Sequence, residues 1–518
     1  MRATVACWWL LLVSAVVDAQ RFPCNGETFR LRKSWSMYTA AEKTRHVAAV
    51  ADAMSAGYHH RFIEMHTEPQ SEREAHGCMF IYWHRKFLLG YENMLRSLKA
   101  EYACLTLPYW DYATLSSSFV SGSCKSVYGC ATDLINTLGG LVDSNAKRSW
   151  ALVNGDSMDG VGCVQRPPLN NFCQSTSAFQ SKQCMRCVPR NNWATSVVPP
   201  ESNIVPVFSQ ILGGVTPTRG KTLAEASRGI QNGAHNTIHN ALGSTMATFQ
   251  APGDPMFNLH HAEIDLMHRI YFKCVVADAV PGRVPVLSDA AKKSATDARI
   301  WSSCTRFNGT TIRPTDPVLM LAGQYNQNKV DVHSPASPLY EFFKDLPRAY
   351  YQYADGDDLG RFSYRYQYTG MLADMLTQCK RFIAPRAATL LQGDHDGGSK
   401  ANPSYVDRCV DRPRLACEVT EASFLEYMST LAGARGWSHD HLICQVETMV
   451  CLHHHECHGG CYDYSAAFKA SFRPMGPPRC KVVVDRVKRG KVHIDVDNWR
   501  GVMAKFFPCD KNNTNAQV

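Results

Sequence analysis

Histidines at helical spacing are the residues through which this sequence can do chemistry. HNTIH at 235–239 sets His235 and His239 four residues apart, one turn along a single helical face, where two imidazoles can share one metal ion. DPMFNLHHAEID follows at 254–265 and brings the adjacent pair His260 and His261. Consecutive helix positions diverge by about 100°, so one of the pair is expected to face that same ion. A second cluster lies upstream, with His84 in FIYWHRKFLLGYENMLRSL, His76 beside Gly77 at its start, and His59, His60 and His66 in GYHHRFIEMHTE. His66 is the favoured third member, because Tyr58, Phe62 and His66 fall at successive turns of one face. His59, seven residues earlier, is the alternative on that face, whereas His60 points elsewhere. Neutral imidazoles in threes, with no thiolate or carboxylate placed among them, suit copper or zinc rather than magnesium or calcium.

The elements that must position these donors read as helices. Phe80, Trp83, Phe87, Leu88, Tyr91 and Leu95 recur at helical spacing around His84, and Leu259, Ile264, Met267 and Ile270 do so around His260 and His261. Gly243, Pro252, Gly253, Asp254 and Pro255 supply the breakers for a return loop between the two downstream helices. Two trios on four helices predict a mainly α fold: an antiparallel four-helix bundle holding a dinuclear site, with long disulfide-pinned loops and a smaller cysteine-rich C-terminal module containing some β structure.

The combination of Ala75-His76-Gly77, Trp83-His84-Arg85, LPYWDY at 107–112, HNTIH, DPMFNLHH with Asp265 four positions on, and SYRYQY at 363–368 resembles the type 3 copper proteins: tyrosinases, catechol oxidases and molluscan-type haemocyanins. The resemblance spans about residues 30–376. It implies two copper ions, the first held by His66, His76 and His84 and the second by His235, His239 and His261, with His260 left as a neighbour. It further implies dioxygen as co-substrate and a small phenol as substrate. Asp265 and Asp111 are candidates for orienting the ligands, with ordinary helix capping as the alternative. Removing a phenolic proton, whose pKa is about 10, needs a base or an activated water. Asn236, directly after His235, and Glu225, ten residues before it, are the residues the resemblance assigns to that water. This pair favours a tyrosinase, which hydroxylates monophenols and oxidises o-diphenols to o-quinones. A strict catechol oxidase and a haemocyanin-like oxygen carrier are the alternatives. The chain departs from the family pattern in places. His76 and His84 lie one position closer than usual, Ile81-Tyr82 replaces Leu-Pro, and Gly243-Ser244 replaces Gly-Gly. Some members link a ligand histidine to a cysteine two residues earlier; Glu74 stands there, so no thioether is expected at His76.

A chain of 518 residues that is 45% hydrophobic can bury a substantial core. Its net charge of +9 arises from 55 basic and 46 acidic residues spread along the sequence, without the basic block of a nucleic-acid binder. Arg2 and the apolar run from Cys7 to Val17 predict a signal peptide over residues 1–19, and no later stretch reaches the roughly 18 apolar residues of a membrane span. Taking Cys7 away from 21 cysteines leaves twenty, an even number that in a secreted protein reads as a disulfide framework. Sequons at Asn308 and Asn512 fit that route.

The remaining organisation is a catalytic domain over 20–376, a linker over 377–404 and a cysteine-rich domain over 405–518. Residues 113–220 are expected to be disulfide-pinned loops, with the CxxC at 184–187 in disulfides rather than on zinc. KVVVDRV and KVHIDV predict a hairpin turned at Arg489-Gly490. CLHHHECHGGC at 451–461 reads as a disulfide-bonded loop with surface histidines, ahead of an accessory metal site. Eleven cysteines precede Cys379 and nine follow it inclusive, so complete pairing needs a bridge between the two groups. In the family such a C-terminal domain often covers the copper site until cleaved; Lys488-Arg489 and the linker are the candidate cleavage points. Oligomeric state is left open.

Overall fold

A computed structural model describes residues 22–27, 29–142, 148–151, 157–213, 221–277, 287–323, 329–385 and 412–509. The expected signal peptide, most of the expected linker and Asn512 lie outside these residues.

Phe80–Leu98 and Met256–Tyr271 carry apolar residues at helical spacing, yet both are buried almost all round, polar side chains included. Every residue of Met256–Tyr271 is buried, and all of Phe80–Leu98 except Leu98. The two helices pack on each other, with Ala40–Ser55 against the outer side of Phe80–Leu98. Thr39 and Glu42 start Ala40–Ser55 with a reciprocal capping box. The described residues are mainly helical, with nine short strands.

Burying these helices also buries charge, and arginines and carboxylates answer one another. Arg30–Arg32 pairs in parallel with Tyr364–Tyr366, part of the SYRYQY motif, and the two strands deliver their side chains to the helices. Asp265 accepts from Arg85 at 2.8 Å, from the Tyr364 hydroxyl at 2.5 Å and from the Tyr366 hydroxyl at 2.8 Å. Arg32 approaches Asp265 at 3.6 Å and donates to Glu92, which also takes a hydrogen bond from Arg30 at 2.8 Å. Burial alone would raise both acids. Arg85 and Arg32 overturn that for Asp265, and Arg32, Arg30 and Arg96 for Glu92, leaving each at about 2.

The region 113–220 is not loop throughout: Arg148–Ala151, Ser157–Val164 and Val188–Arg190 form an antiparallel sheet in that order. Ile204–Ile211 is a buried helix whose Pro206 sits in the first turn, where the missing N–H has no partner to lose. Nested bridges Cys163–Cys187 and Cys173–Cys184 put the two CxxC sulfurs in separate disulfides, as expected over zinc.

The C-terminal segment carries no strand among its described residues. It consists of helices Ala416–Ala434, His439–Cys457, Ala466–Phe472, Arg479–Lys488 and Trp499–Phe506. The valines of KVVVDRV favour a strand by composition, but Cys480, Val484 and Val487 recur on one helical face and Lys481 pairs with Asp485 one turn away. Gly490, at φ +65°, ends that helix in the left-handed conformation glycine tolerates, rather than turning a hairpin. CLHHHEC likewise lies within a helix, tied by Cys451–Cys480 and Cys457–Cys509, with His453 and His454 buried.

Cys274–Cys379 supplies the bridge between the two cysteine groups. Cys417, Cys444 and Cys461 are unpaired among the described residues, so pairing is not complete there. One apolar core runs from Trp35 through the histidine-bearing helices to Phe424, Met449 and Phe507. No described helix is long and apolar enough to cross a membrane.

Candidate metal centre

Three elements present the first group of donors. His66 ends the His59–Thr67 helix, His76 sits in the turn after Pro69–Ala75, and His84 lies in the second turn of Phe80–Leu98. Their ring centroids stand 5.0 Å (His66–His76), 5.5 Å (His66–His84) and 5.9 Å (His76–His84) apart. His59 is spent elsewhere, bonding the Tyr91 hydroxyl at 2.9 Å and the Gly253 carbonyl at 3.2 Å, and His60 stacks beside Phe179.

The second group begins at a deformation. Gln231–His235 is a π-helical turn in which Gly233 leaves helical geometry, at φ −92° and ψ −117°. A Cβ on Gly233 would sit 2.3 Å from the Gln210 amide. That close approach lets Gln210 accept the Ala234 N–H at 3.1 Å while donating to the Glu201 carbonyl at 2.9 Å, so the backbone group freed by the kink is satisfied. His235 then precedes the Asn236–Leu242 helix, which carries His239 one turn on. Asp254, ion-paired with Arg190 at 2.6 Å, accepts the Met256 N–H at 3.1 Å and starts the helix of His260 and His261.

The geometry departs from helical reasoning at His260. His235, His239, His260 and His261 all bring a ring nitrogen within 4.8 Å of one another, so both members of the adjacent pair join the group. His260 also hydrogen-bonds the Tyr112 hydroxyl through Nδ1. The two groups meet where His84 stacks on His261, with centroids 4.1 Å apart and planes 9° from parallel.

Anchoring explains how so many imidazoles are aimed. Nδ1 of His66 bonds the Phe249 carbonyl at 2.8 Å, that of His84 the Phe80 carbonyl at 2.9 Å, that of His239 the Met246 carbonyl at 2.5 Å and that of His235 the Asn236 side-chain oxygen at 2.8 Å. Because Nδ1 donates to each oxygen, Nε2 keeps its lone pair and turns inward. Nε2 of His235, His239, His260 and His261 is buried without a hydrogen-bond partner among the described residues. The Nε2 atoms of His66 and His84 face each other at 3.4 Å, two lone pairs that a cation between them would reconcile. Burial lowers His66 to about 4 and His235 to about 3, so the rings are neutral at physiological pH and able to ligate. This donor set fits two soft-to-borderline ions bound by nitrogen.

Asn236 is buried beside the second group, its amide nitrogen 3.3 Å from Asn232 Oδ1. Glu225 lies half-buried at the start of Leu223–Ile230, where its carboxylate accepts the Thr222 N–H at 2.9 Å in a capping box. It shares with Asn232 a cavity of about 380 Å³ that also reaches Arg228, Pro477 and Arg479. Asp111 caps the Tyr112–Val120 helix, accepting the Thr114 N–H at 2.9 Å, while Asp265 joins the arginine lattice rather than any histidine ring.

Two neighbours had no signal in sequence. Phe472, at the end of the Ala466–Phe472 helix, packs 5.1 Å from His239 and 5.3 Å from His76. Tyr464 donates to the Asn232 carbonyl at 2.9 Å. Their importance comes from where the C-terminal helices dock, which no local pattern records.

Residues 56–273, a span holding all six expected ligands, match the family described as the common central domain of tyrosinase. A tyrosinase of Streptomyces lincolnensis is 29% identical over 251 residues, covering 45% of this chain and 80% of its own length. A tyrosinase-like protein of Pinctada maxima is 25% identical over 258 residues, covering 46% of this chain and 51% of its own. Among solved structures, a latent aurone synthase (polyphenol oxidase) shares 17% identity over 67% of this chain and 60% of its own, at a TM-score of 0.34. A polyphenol oxidase of Thermothelomyces thermophila shares 18% over 67% of this chain and 91% of its own, at 0.35. The match of residues 56–273 to the tyrosinase central domain, together with the similarity to tyrosinases, supports reading this chain as similar to the tyrosinase-family type 3 copper proteins.

Proposed function

We propose that the protein is a secreted dicopper phenol oxidase of the tyrosinase type, ortho-hydroxylating monophenols and oxidising o-diphenols to o-quinones with dioxygen. The observation that carries this reading is the convergence of two groups of imidazoles, four of them (His66, His84, His235 and His239) anchored at Nδ1, with the Nε2 atoms of His235, His239 and His261 buried without a hydrogen-bond partner among the described residues. His66, His76 and His84 would hold one copper and His235, His239 and His261 the other, on four helices arranged as a bundle. Bound there, the copper pair supplies two-electron chemistry toward dioxygen and phenol. The chain's own part is to hold the rings neutral, fix their tautomers and keep water out with Phe80, Phe249 and Phe257. Asn236, tied to His235 and to Asn232, orients the water that takes the phenolic proton, with Glu225 on the cavity that Asn232 lines as its partner. Phe472 lies over the approach to both groups, so the full-length chain is a latent form that becomes active once the 405–518 segment is moved or cleaved away from the 20–376 domain. Eight disulfides among the described residues and an exposed Asn308 sequon support passage through the secretory route after loss of residues 1–19.

One observation favours a narrower reading. The Glu225 carboxylate is engaged by Thr222, and a carboxylate so occupied is a poorer partner for a water, which favours a strict catechol oxidase. Oxygen uptake by the copper-loaded protein after limited proteolysis separates the readings. Turnover of tyramine that His239→Ala abolishes supports the tyrosinase. Turnover of catechol alone supports the narrower enzyme, and reversible oxygen binding without turnover of either overturns both.

A further inference from the structure

His66 and His84 are carried by helices, but His76 stands in a four-residue turn between Pro69–Ala75 and Phe80–Leu98 and is only half-buried. A donor in a turn has more freedom than its partners, and a three-imidazole site tolerates little of it. The structure meets this with a strap. Residues 300–321 run across the turn and fasten to both flanks: the Leu321 N–H donates to Ser71 Oγ at 2.8 Å, Trp83 Nε1 to the Leu319 carbonyl at 2.9 Å, and Lys86 Nζ to the Val318 carbonyl at 2.9 Å. Cys78 is bridged to Cys304.

At the centre of the strap lies Glu74, two residues before His76, with a side chain wholly removed from solvent. Its carboxylate takes a charge-assisted bond from Arg306, a hydrogen bond from the Tyr350 hydroxyl and the Leu319 N–H at 2.9 Å. Arg306 is itself fixed, donating to the Pro317 carbonyl at 2.9 Å. Gln231, in the π-helical turn before His235, donates to the His76 carbonyl at 3.2 Å and ties the same turn to the second group.

We propose that Glu74 is the positioning residue of His76, its clamped carboxylate doing by ion pair and hydrogen bonds what a covalent tether to the ring would do. The proposal rests on the reading of the two histidine groups as a copper pair. It concerns one ligand of one metal, and this makes it separable from general stability: loosening the turn frees His76 while His66, His84 and the second group keep their helices and anchors.

The test is stepwise removal of copper from the full-length loaded protein by dialysis against rising EDTA, with copper per chain counted at each step. Wild type is expected to hold two. Glu74→Ala and Arg306→Ala should each release one copper at about 10- to 100-fold lower EDTA, the range for losing a group that orients a metal ligand. The second copper should persist to the wild-type concentration, and the half-emptied protein should show the electron paramagnetic resonance of an isolated Cu(II). The double variant should lose no more than the worse single one, since both act through one contact. Tyr350→Phe, which removes one hydroxyl, should shift release in the same direction by less and guards against a variant that fails to fold. Release of both coppers together, or an unchanged titration, overturns the positioning role. A wild-type protein that binds no copper pair overturns the reading of the site and the proposal with it.

Discussion

Asp265 and Glu92, in the body of the molecule, are buried among arginines, whereas Glu201 and Glu421, where the C-terminal helices meet that body, are buried among neutral donors. Glu421 accepts hydrogen bonds from Ser117 Oγ and from Asn203 Nδ2, the latter at 2.5 Å, and Glu418 is the charged group that acts on it, with like sign. Glu201 accepts the Cys480 N–H at 2.8 Å; Glu447 acts on it with like sign, and Arg479, the nearby cation, is committed to Glu447. Burial is the largest influence on all four. Where arginines answer it the acids sit at about 2; where they do not, Glu201 and Glu421 rise to about 7. The helices that carry the histidines are therefore pinned by charge, and the segment that covers them is held by acids that prefer to keep their protons.

The largest effect should come from breaking the pinned set. Asp265→Ala leaves the buried Arg85 without its carboxylate partner and Arg32 with Glu92 as its one remaining carboxylate among the described residues, and removing one partner of a buried ion pair costs about 3–5 kcal/mol. Urea unfolding should report that loss, while Glu421→Ala should cost distinctly less. Equal costs would erase the distinction between the two sets.

Next in size is the consequence of the covering segment. Phe472→Ala removes the ring beside His76 and His239 without touching an ion pair, and kcat/KM for a bulky o-diphenol should rise by about tenfold, roughly 1.4 kcal/mol in barrier. The unfolding midpoint should move little. An unchanged rate would mean that phenols reach the histidines by another path.

These two positions differ in how far sequence could find them. Asp265 stands out in sequence as the acid four positions after the HH pair, where it reads as a ligand-orienting or capping group, and only the fold brings the arginines and tyrosines that it meets instead; five of the histidines stand out because helical spacing and motif agree on them. Helical divergence allows one of His260 and His261 to face the ion and the resemblance selects His261; what brings His260 into the group as well is the ring orientation held by Tyr112, a contact that exists only once a third helix has arrived. The Val-rich 481–487 stretch read as a strand because β-branched residues carry that preference, and the Cys451–Cys480 bridge and the apolar face it packs on decided otherwise. Phe472 and the anchoring carbonyls of Phe249 and Met246 belong to long-range packing, where no residue type signals the role.

The comparison also sets opposite responses to pH. An acid held below its ordinary value stabilises above that value, so Asp265 and Glu92 should contribute fully above about pH 4 and be lost only as pH falls toward 2. An acid held above its ordinary value stabilises the docked state fully below about pH 4 and loses that contribution as pH rises through 7. Protection against hydrogen exchange in the Ala416–Ala434 helix, with the intrinsic pH dependence of amide exchange divided out, should therefore fall between about pH 5 and 8, while protection in Met256–Tyr271 stays flat. Parallel changes in both helices would count against the seam as the place of response.

Glu421→Gln is the smallest change and the sharpest. The amide keeps the shape and can still accept from Ser117, but it carries no proton to lose, so ionisation at that site no longer opposes docking as pH rises. One of the two proton-linked groups remains in Glu201, and the pH dependence of that protection in Ala416–Ala434 should fall by about half in slope, since the slope counts protons released. The substitution should slow exchange at pH 8 and leave it nearly unchanged at pH 5, an inversion that loss of a hydrogen bond cannot produce, because a lost bond weakens docking at both. If exchange instead quickens at both pH values, Glu421 acts at the seam as an acceptor and the pH response belongs to Glu201 alone.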